Sequence, residues 1–180
     1  MTGLELIRNR FPDRKDVLAV FGIVVFVCYS WSLLGFLNEL SSFLLYFTVT
    51  EIGNIFAFMM AFALLESLAV TGFLYLLSAI LPSGWLRDGF ALKGFVIIII
   101  ATATSILFQR SLDEYPSALI LAATVLVPFV LTVAVILALR SLPRIKNILV
   151  NIQDRILIML VIYVPIGLLS FGVVLYRNLL

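Results

Sequence analysis

Long runs of apolar residues set the strongest constraint on how this chain folds. Residues 17–37 read VLAVFGIVVFVCYSWSLLGFL and contain no charged side chain. A helix of about 20 residues crosses the hydrocarbon layer of a membrane, which is roughly 30 Å thick. Because the residues before this run are mixed in charge and no small-residue cleavage site follows it, we interpret it as a retained span and not as a signal peptide.

The composition of the whole chain points to the same class of protein. Hydrophobic residues make up 63% of the 180 residues and charged residues only 12%, whereas soluble proteins are about half apolar and about a quarter charged. The mean hydropathy is +1.21. This amount of polar surface is too small to cover the chain in water, so lipid must cover it. The sequence therefore predicts an all-α, multi-pass membrane protein.

Hydropathy divides the chain into about five spans within a single transmembrane domain. Apolar residues at helical spacing, with basic and amide side chains between them, predict an amphipathic helix that lies on the membrane surface over residues 141–154. Residues 41–50 contain an apolar stretch that is too short to cross, and both an interfacial and a re-entrant position remain open for it. The predicted spans are residues 17–37, 52–81, 91–110, 117–139 and 156–176.

The basic residues are unevenly distributed between the loops that five spans create. Ten of the 12 lysines and arginines fall on the side of the N-terminus, and only Arg110 and Arg177 fall on the other side. The positive-inside rule then predicts a cytoplasmic N-terminus and an external C-terminus. Because the charges are not used to count the spans, their bias supports the count independently. The expected location is a cell membrane of the bacterial cytoplasmic type.

Glu66 is the polar group that most needs an explanation, because it lies near the middle of the second span, in AFALLESLAV. An ionised carboxylate in hydrocarbon costs at least roughly 2.5 kcal/mol, and no basic residue lies at a matching depth. We expect Glu66 to be protonated and to face protein or water. Ala63, Ser67 and Thr71 recur beside it every four residues, and such small residues let helices approach closely. Glu66, Ser67 and Thr71 form the candidate intramembrane polar site.

Two hypotheses for Glu66 remain open at the level of sequence. The residue is either a proton or cation site in a transport pathway or a neutral hydrogen-bonding clamp between helices. Pro128 and Pro165 lie in mid-span, where each should kink its helix; such breaks suit a pathway but also occur in ordinary membrane helices. Hydroxyl groups in other spans offer seven partners for Glu66, namely Thr102, Thr104, Ser105, Thr124, Thr132, Tyr163 and Ser170.

The sequence lacks the reactive groups that most enzyme classes need. Histidine is absent, and Cys28, the single cysteine, lies in an apolar run where a small hydrophobe is the expected role. Neither converging carboxylates nor a phosphate-binding glycine loop is present, and the scattered basic residues form no nucleic-acid-binding stripe. We therefore expect no catalysis, no cofactor, no metal and no nucleic-acid partner.

Two functional classes fit what remains. The first is a non-catalytic membrane subunit or self-assembling helix bundle, whose partners are the lipid bilayer and either a second copy or another membrane protein. Its support is the small number of polar groups and the small-residue faces. The alternative is an oligomeric small transporter or channel that uses Glu66 as an intramembrane proton or cation site.

Overall fold

The structure, a computed structural model, describes residues 11–81, 86–111, 118–141, 150–153 and 155–179 and contains no strand in these ranges. Four of its helices, over Arg14–Tyr46, Val49–Ile80, Phe90–Gln109 and Leu160–Leu179, are long and apolar enough to cross a membrane. The prediction of an all-α fold is thereby confirmed for the described residues. The four long apolar helices support the prediction of a membrane protein, whereas the count of five spans stays a prediction. In chain order the long helices are α1 (Arg14–Tyr46), α2 (Val49–Ile80), α3 (Phe90–Ser111), α4 (Ala118–Ser141) and α5 (Leu160–Leu179).

The hairpin of α1 and α2 is the longest part of the fold, and only Phe47 and Thr48 separate its two helices. The helices have 33 and 32 residues, which at a rise of about 1.5 Å per residue makes each about 50 Å long. A hydrocarbon layer of roughly 30 Å is thinner than this, so both helices tilt or project from it. Residues 41–46 are the last turns of α1, residues 49–50 begin α2, and the position of residues 41–50 relative to the membrane stays a prediction.

A capping box begins α2 directly after this link. The Thr48 backbone N–H donates to Glu51 Oε2 over 2.8 Å, and the Glu51 backbone N–H donates to Thr48 Oγ1 over 3.4 Å. Glu51 lies just before the predicted span 52–81. The hydrogen bond that the Thr48 backbone donates to it lowers the pKa of the Glu51 carboxyl group. The two residues satisfy groups that a helix end otherwise leaves unpaired, which explains how a second helix starts so soon after the first.

The central helix of the bundle is α1, which packs against α2, α3 and α5; α2 also packs against α5, and α4 packs against α3. Two clusters of buried side chains hold these helices together. The first joins α1, α2 and α3 and includes Val20, Ile23, Val24, Leu74, Phe90 and Phe95. The second joins α1 and α2 to α5 and consists of Val25, Tyr29, Met60, Ala63 and Leu64, with Tyr163, Val164 and Ile166 packed against them.

Contacts at the helix ends bring four helix termini together. Phe11, just before α1, stacks on Tyr75 near the end of α2 with ring centroids 4.8 Å apart. Gly89, before α3, and Leu157, before α5, line one groove together with Lys15. The start of α1, the end of α2 and the starts of α3 and α5 therefore share one end of the bundle. We call it the basic end, because it carries Arg14, Lys15, Arg87, Lys93 and Arg155.

The remaining contacts complete an alternating arrangement of helices. Arg177, near the end of α5, is close enough to Glu51 at the start of α2 to interact with it electrostatically. Val135 and Ile136, in the last third of α4, pack on the cluster that contains Phe90 at the start of α3, so α3 and α4 are antiparallel. Successive helices thus run in opposite directions, as the predicted topology requires. The side of the membrane on which the basic end lies stays a prediction.

The predicted surface helix over residues 141–154 lies largely outside the described residues. Residues 150–153 are helical, and Gln153 is buried in the groove that contains Lys15. The position of the whole segment on the membrane surface stays a prediction.

The fifth helix begins later than the predicted span 156–176, at Leu160. The N–H groups of Ile158 and Met159 donate to carbonyl groups three residues earlier, over 3.3 and 2.9 Å. These short-range bonds form a turn that interrupts the α-helical pattern. Pro128 and Pro165 lie inside α4 and α5, and the kinks expected of them stay predictions.

Candidate functional site

Glu66 lies in the middle of α2, and its side chain is exposed. It lines an open groove of about 280 Å³ whose floor is α1 and whose far wall is α3. The groove stays open because α2 and α3 each pack on α1 but scarcely on each other. We call it the Glu66 groove. Its polar lining side chains are Glu66, Cys28, Thr102 and Ser105, between apolar residues that include Val24, Val70 and Ile98.

Two of the seven hydroxyl groups predicted as partners of Glu66, those of Thr102 and Ser105, line the same groove. Thr102 donates to the Ile98 carbonyl over 2.8 Å and is thereby engaged with its own helix. Thr104 likewise donates to the Ile100 carbonyl over 2.7 Å. Within the described part of the chain, no hydrogen bond or ion pair joins Glu66 to another helix. A clamp made by Glu66 inside this bundle therefore has no partner among the described residues.

Ser67 and Thr71 face a different side of α2 from Glu66. Ser67 is fully buried and donates to the Ala63 carbonyl over 2.6 Å. Thr71 is also buried, but it lines a second groove between α1 and α2. Positions 66 and 71 point about 140° apart around an α-helix, because each residue turns the chain by about 100°. The three residues that the sequence groups as one candidate site therefore do not meet in a single site.

The second groove opens at the basic end and has a volume of about 510 Å³. We call it the Thr71 groove. The Thr71 Oγ1 atom itself is buried, with almost no accessible surface, and has no hydrogen-bond partner among the described residues. Arg14 is exposed and contributes to the lining of the same groove. The rest of the lining is mainly apolar and includes Val17, Leu18, Phe21, Leu68 and Tyr75.

Tyr29 is a buried polar residue whose importance is not evident from the sequence. It is fully buried, and its hydroxyl group has no hydrogen-bond partner among the described residues. Its ring stacks on Tyr163 with centroids 5.1 Å apart, and its hydroxyl oxygen lies against the backbone of Gly167. A tyrosine in one apolar run and a glycine in another are visible in the sequence, but their pairing is not. The contact shows how closely α5 approaches α1.

The described residues form a bundle of helices, four of them long and apolar enough to cross a membrane, with the Glu66 groove and the Thr71 groove on different sides of its first hairpin. The Glu66 groove contains a carboxyl group near the middle of α2, and the Thr71 groove opens at the basic end. No protein-family model, curated protein or solved structure matches the chain. Its function must therefore be inferred from the chemistry of these two grooves.

Proposed function

We propose that the chain is a non-catalytic membrane subunit that assembles through the Glu66 groove, with a second copy or with another membrane protein. The observation that carries this proposal is the exposed carboxyl group of Glu66. At a rise of about 1.5 Å per residue, it lies about 25 Å from the start of α2 and about 21 Å from its end. Glu66 is therefore close to the middle of α2.

Lipid is a poor cover for this groove. An ionised carboxylate that faces hydrocarbon costs at least about 2.5 kcal/mol, and a protonated one still loses its hydrogen bonds. A helix seated in the groove can supply a hydrogen-bonding group to Glu66, and the small Ala101 on the α3 wall permits close approach. The apolar surface outside the groove needs no cover other than the bilayer.

Cysteine cross-linking tests whether a second copy fills the groove. With Cys28 replaced by alanine, a cysteine at Ala101, an exposed groove residue, is expected to form a disulfide-linked dimer when membranes are oxidised. A cysteine at Leu169, which is 73% exposed on α5, is the matched control and should remain monomeric. Glu66→Leu should weaken dimerisation about fivefold, because an interhelical hydrogen bond in a membrane is worth about 1 kcal/mol.

Purification in mild detergent, followed by mass spectrometry, tests for a different membrane partner. A partner seated in the groove should co-purify with the wild-type protein and be depleted from the Glu66→Leu variant. Glu66→Gln should retain the partner or the dimer, because an amide still forms hydrogen bonds at this position. The proposal fails if the protein is a partnerless monomer, or if its assembly is the same in the wild type and the leucine variant.

A second candidate function is an oligomeric transporter or channel. The observation that favours it is that Glu66, Thr102 and Ser105 line one open groove beside the middle of α2. Proton or cation transfer needs a carboxyl group that can ionise, so Glu66→Gln should abolish uptake into vesicles while leaving assembly intact. The same substitution therefore separates the two functions, since a purely structural contact survives it.

We further propose that the basic end faces the cytoplasm and that the C-terminus is external. The support is that Arg14, Lys15, Arg87, Lys93 and Arg155 share one end of the bundle. A reporter that works only outside the cytoplasm should be active when fused after Leu180 and inactive when fused before Met1. Reporter activity at the N-terminus alone would show that the orientation is the opposite of the one proposed. Equal reporter activity at both ends would show that both ends lie on the same side and that the number of spans is even.

A further inference from the structure

We propose that a third groove, at the basic end, binds the headgroup of one ethanolamine phospholipid, with the phosphate between Lys15 and the start of α3 and the ammonium on Asp16. The groove has a volume of about 460 Å³ and lies between the start of α1, the start of α3 and three residues that precede α5, namely Val150, Gln153 and Leu157. We call it the Gln153 groove. Because it shares no lining residue with the Glu66 groove, its test can fail without affecting the proposed assembly.

The amide group of Gln153 is the first observation that points to a ligand. Gln153 is only 6% exposed, lines the groove and forms no hydrogen bond within the described ranges. Its amide atoms nevertheless keep some accessible surface, since the fully covered side-chain atoms without a partner in these ranges are Tyr29 Oη and Thr71 Oγ1. A buried polar group without a partner costs about 1–3 kcal/mol. An amide both donates and accepts hydrogen bonds, so a phosphate oxygen in the groove would satisfy it.

The start of α3 supplies further hydrogen-bond donors to the same groove. Ala91 and Leu92 both line it, and their N–H groups donate to no acceptor in the described part of the chain. The helix has 22 residues, and the free N–H groups and the dipole at its start attract an anion. Lys15 is exposed on the α1 wall and forms no ion pair with a described residue. These groups together suit the phosphate of a ligand.

Asp16 adds a negative charge to the groove and thereby selects the rest of the headgroup. It is partly buried, lines the groove and makes no ion pair or hydrogen bond with a described group, so Lys15 does not neutralise it. An ethanolamine headgroup carries one phosphate and one ammonium with three N–H donors, which match Lys15 and Asp16. A choline group has the same charge but no N–H to donate, and a glycerol headgroup has no cation.

The depth of the groove and its apolar walls favour a lipid over a small anion. The predicted spans 17–37, 91–110 and 156–176 all begin among its lining residues, which is the level at which lipid headgroups lie. A free phosphate would leave the apolar walls uncovered, whereas the glycerol backbone and the first methylene groups of a phospholipid would cover them. These walls consist of Leu18, Ala19, Ala91, Leu92, Val150 and Leu157.

Thermal unfolding of the detergent-purified protein tests the site. Phosphatidylethanolamine at about 100 times its dissociation constant should raise the midpoint by roughly 5 °C. Phosphatidylcholine and phosphatidylglycerol with the same acyl chains, and inorganic phosphate, should each give less than half of that shift. Lys15→Gln and Gln153→Leu should each reduce the phosphatidylethanolamine shift by more than half. Arg14→Gln removes the same charge from the adjacent residue, which lines the Thr71 groove, and should keep the shift.

Asp16→Asn tests the contact with the ammonium group separately. Asparagine keeps the size of the side chain and removes its charge, so phosphatidylethanolamine and phosphatidylcholine should give equal shifts in this variant. A general loss of stability would not change the ranking of the two lipids, so this readout separates headgroup recognition from a structural role. An undiminished preference for phosphatidylethanolamine in Asp16→Asn would contradict the proposed contact.

Three further results would overturn the site. The first is a phosphatidylethanolamine shift that is absent or is matched by one of the other lipids or by inorganic phosphate. The second is a full shift in the Lys15→Gln variant or in the Gln153→Leu variant. The third is an equal loss in Lys15→Gln and Arg14→Gln, which would reduce the effect to net charge. Lys15 is exposed, so its variant is expected to fold, and the readout remains available even if Gln153→Leu does not fold.

Discussion

Replacement of Gly167 by alanine is expected to destabilise the bundle by about 3 kcal/mol, which lies at the upper end of the usual cost of overpacking a core. The new methyl group would overlap the Tyr29 hydroxyl oxygen and would also lie 3.0 Å from Tyr29 Cζ and 3.2 Å from Leu64 Cβ. Because Tyr29 is fully buried and stacked on Tyr163, its ring has no open space into which it can turn. Either α5 must move away from α1 or the core must repack.

The measurement is the free energy of unfolding in detergent micelles, with Gly172→Ala as the matched control on the same helix. A Cβ atom at Gly172 meets nothing within 4 Å, so this variant should be unchanged or more stable by up to about 1 kcal/mol, the gain in helix propensity. Tyr29→Phe removes the nearest atom and should recover part of the loss caused by Gly167→Ala. Equal stability of the two alanine variants would show that α5 does not approach Tyr29 as described.

The existence and approximate limits of the helices follow from the sequence because membrane spans are long and apolar. The ends are less predictable, since hydropathy reports where a helix leaves the hydrocarbon and not where it stops. Hydropathy therefore ends the first span at Leu37, but α1 continues through Asn38 and Glu39 to Tyr46. A helix that projects into water needs no apolar residues for its last turns. Similarly, the turn at Ile158 depends on local hydrogen bonds that hydropathy does not report.

The rotation of each helix about its axis could not be predicted from the sequence. This rotation determines which side chains of different helices meet to form a site. A helix that is apolar on all sides has no polar face to show which residues point inward. Glu66 was recognisable as unusual because a carboxyl group in a span is costly wherever it points. Its separation from Thr71, by contrast, depends on how α2 is rotated about its axis where it packs on α1. The same limit applies to Tyr29 and Gly167, whose contact requires the relative position of two helices far apart in the chain.

The second large effect is expected at Gly94, where alanine should cost about 2 kcal/mol. A Cβ atom at this position would lie 2.6 Å from Val20 Cγ2 and 3.3 Å from Val20 Cγ1. Val20 is fully buried, and a valine in a helix has one strongly preferred rotamer, so its methyl groups cannot turn aside. The strain must therefore separate α3 from α1. Gly35→Ala is the control, because a Cβ atom there would make only an ordinary contact, 3.8 Å from Met59 Cε.

A double-mutant cycle with Val20→Ala shows whether the cost at Gly94 comes from this contact. Val20→Ala alone should cost about 2 kcal/mol for the lost burial, but it also makes room for the methyl group of Gly94→Ala. The double variant should then be more stable than the sum of the single effects by at least about 1 kcal/mol. Strict additivity would mean that Gly94 and Val20 do not touch. Because α1 and α3 form the floor and far wall of the Glu66 groove, that result would also show that this contact does not hold the two sides of the groove together.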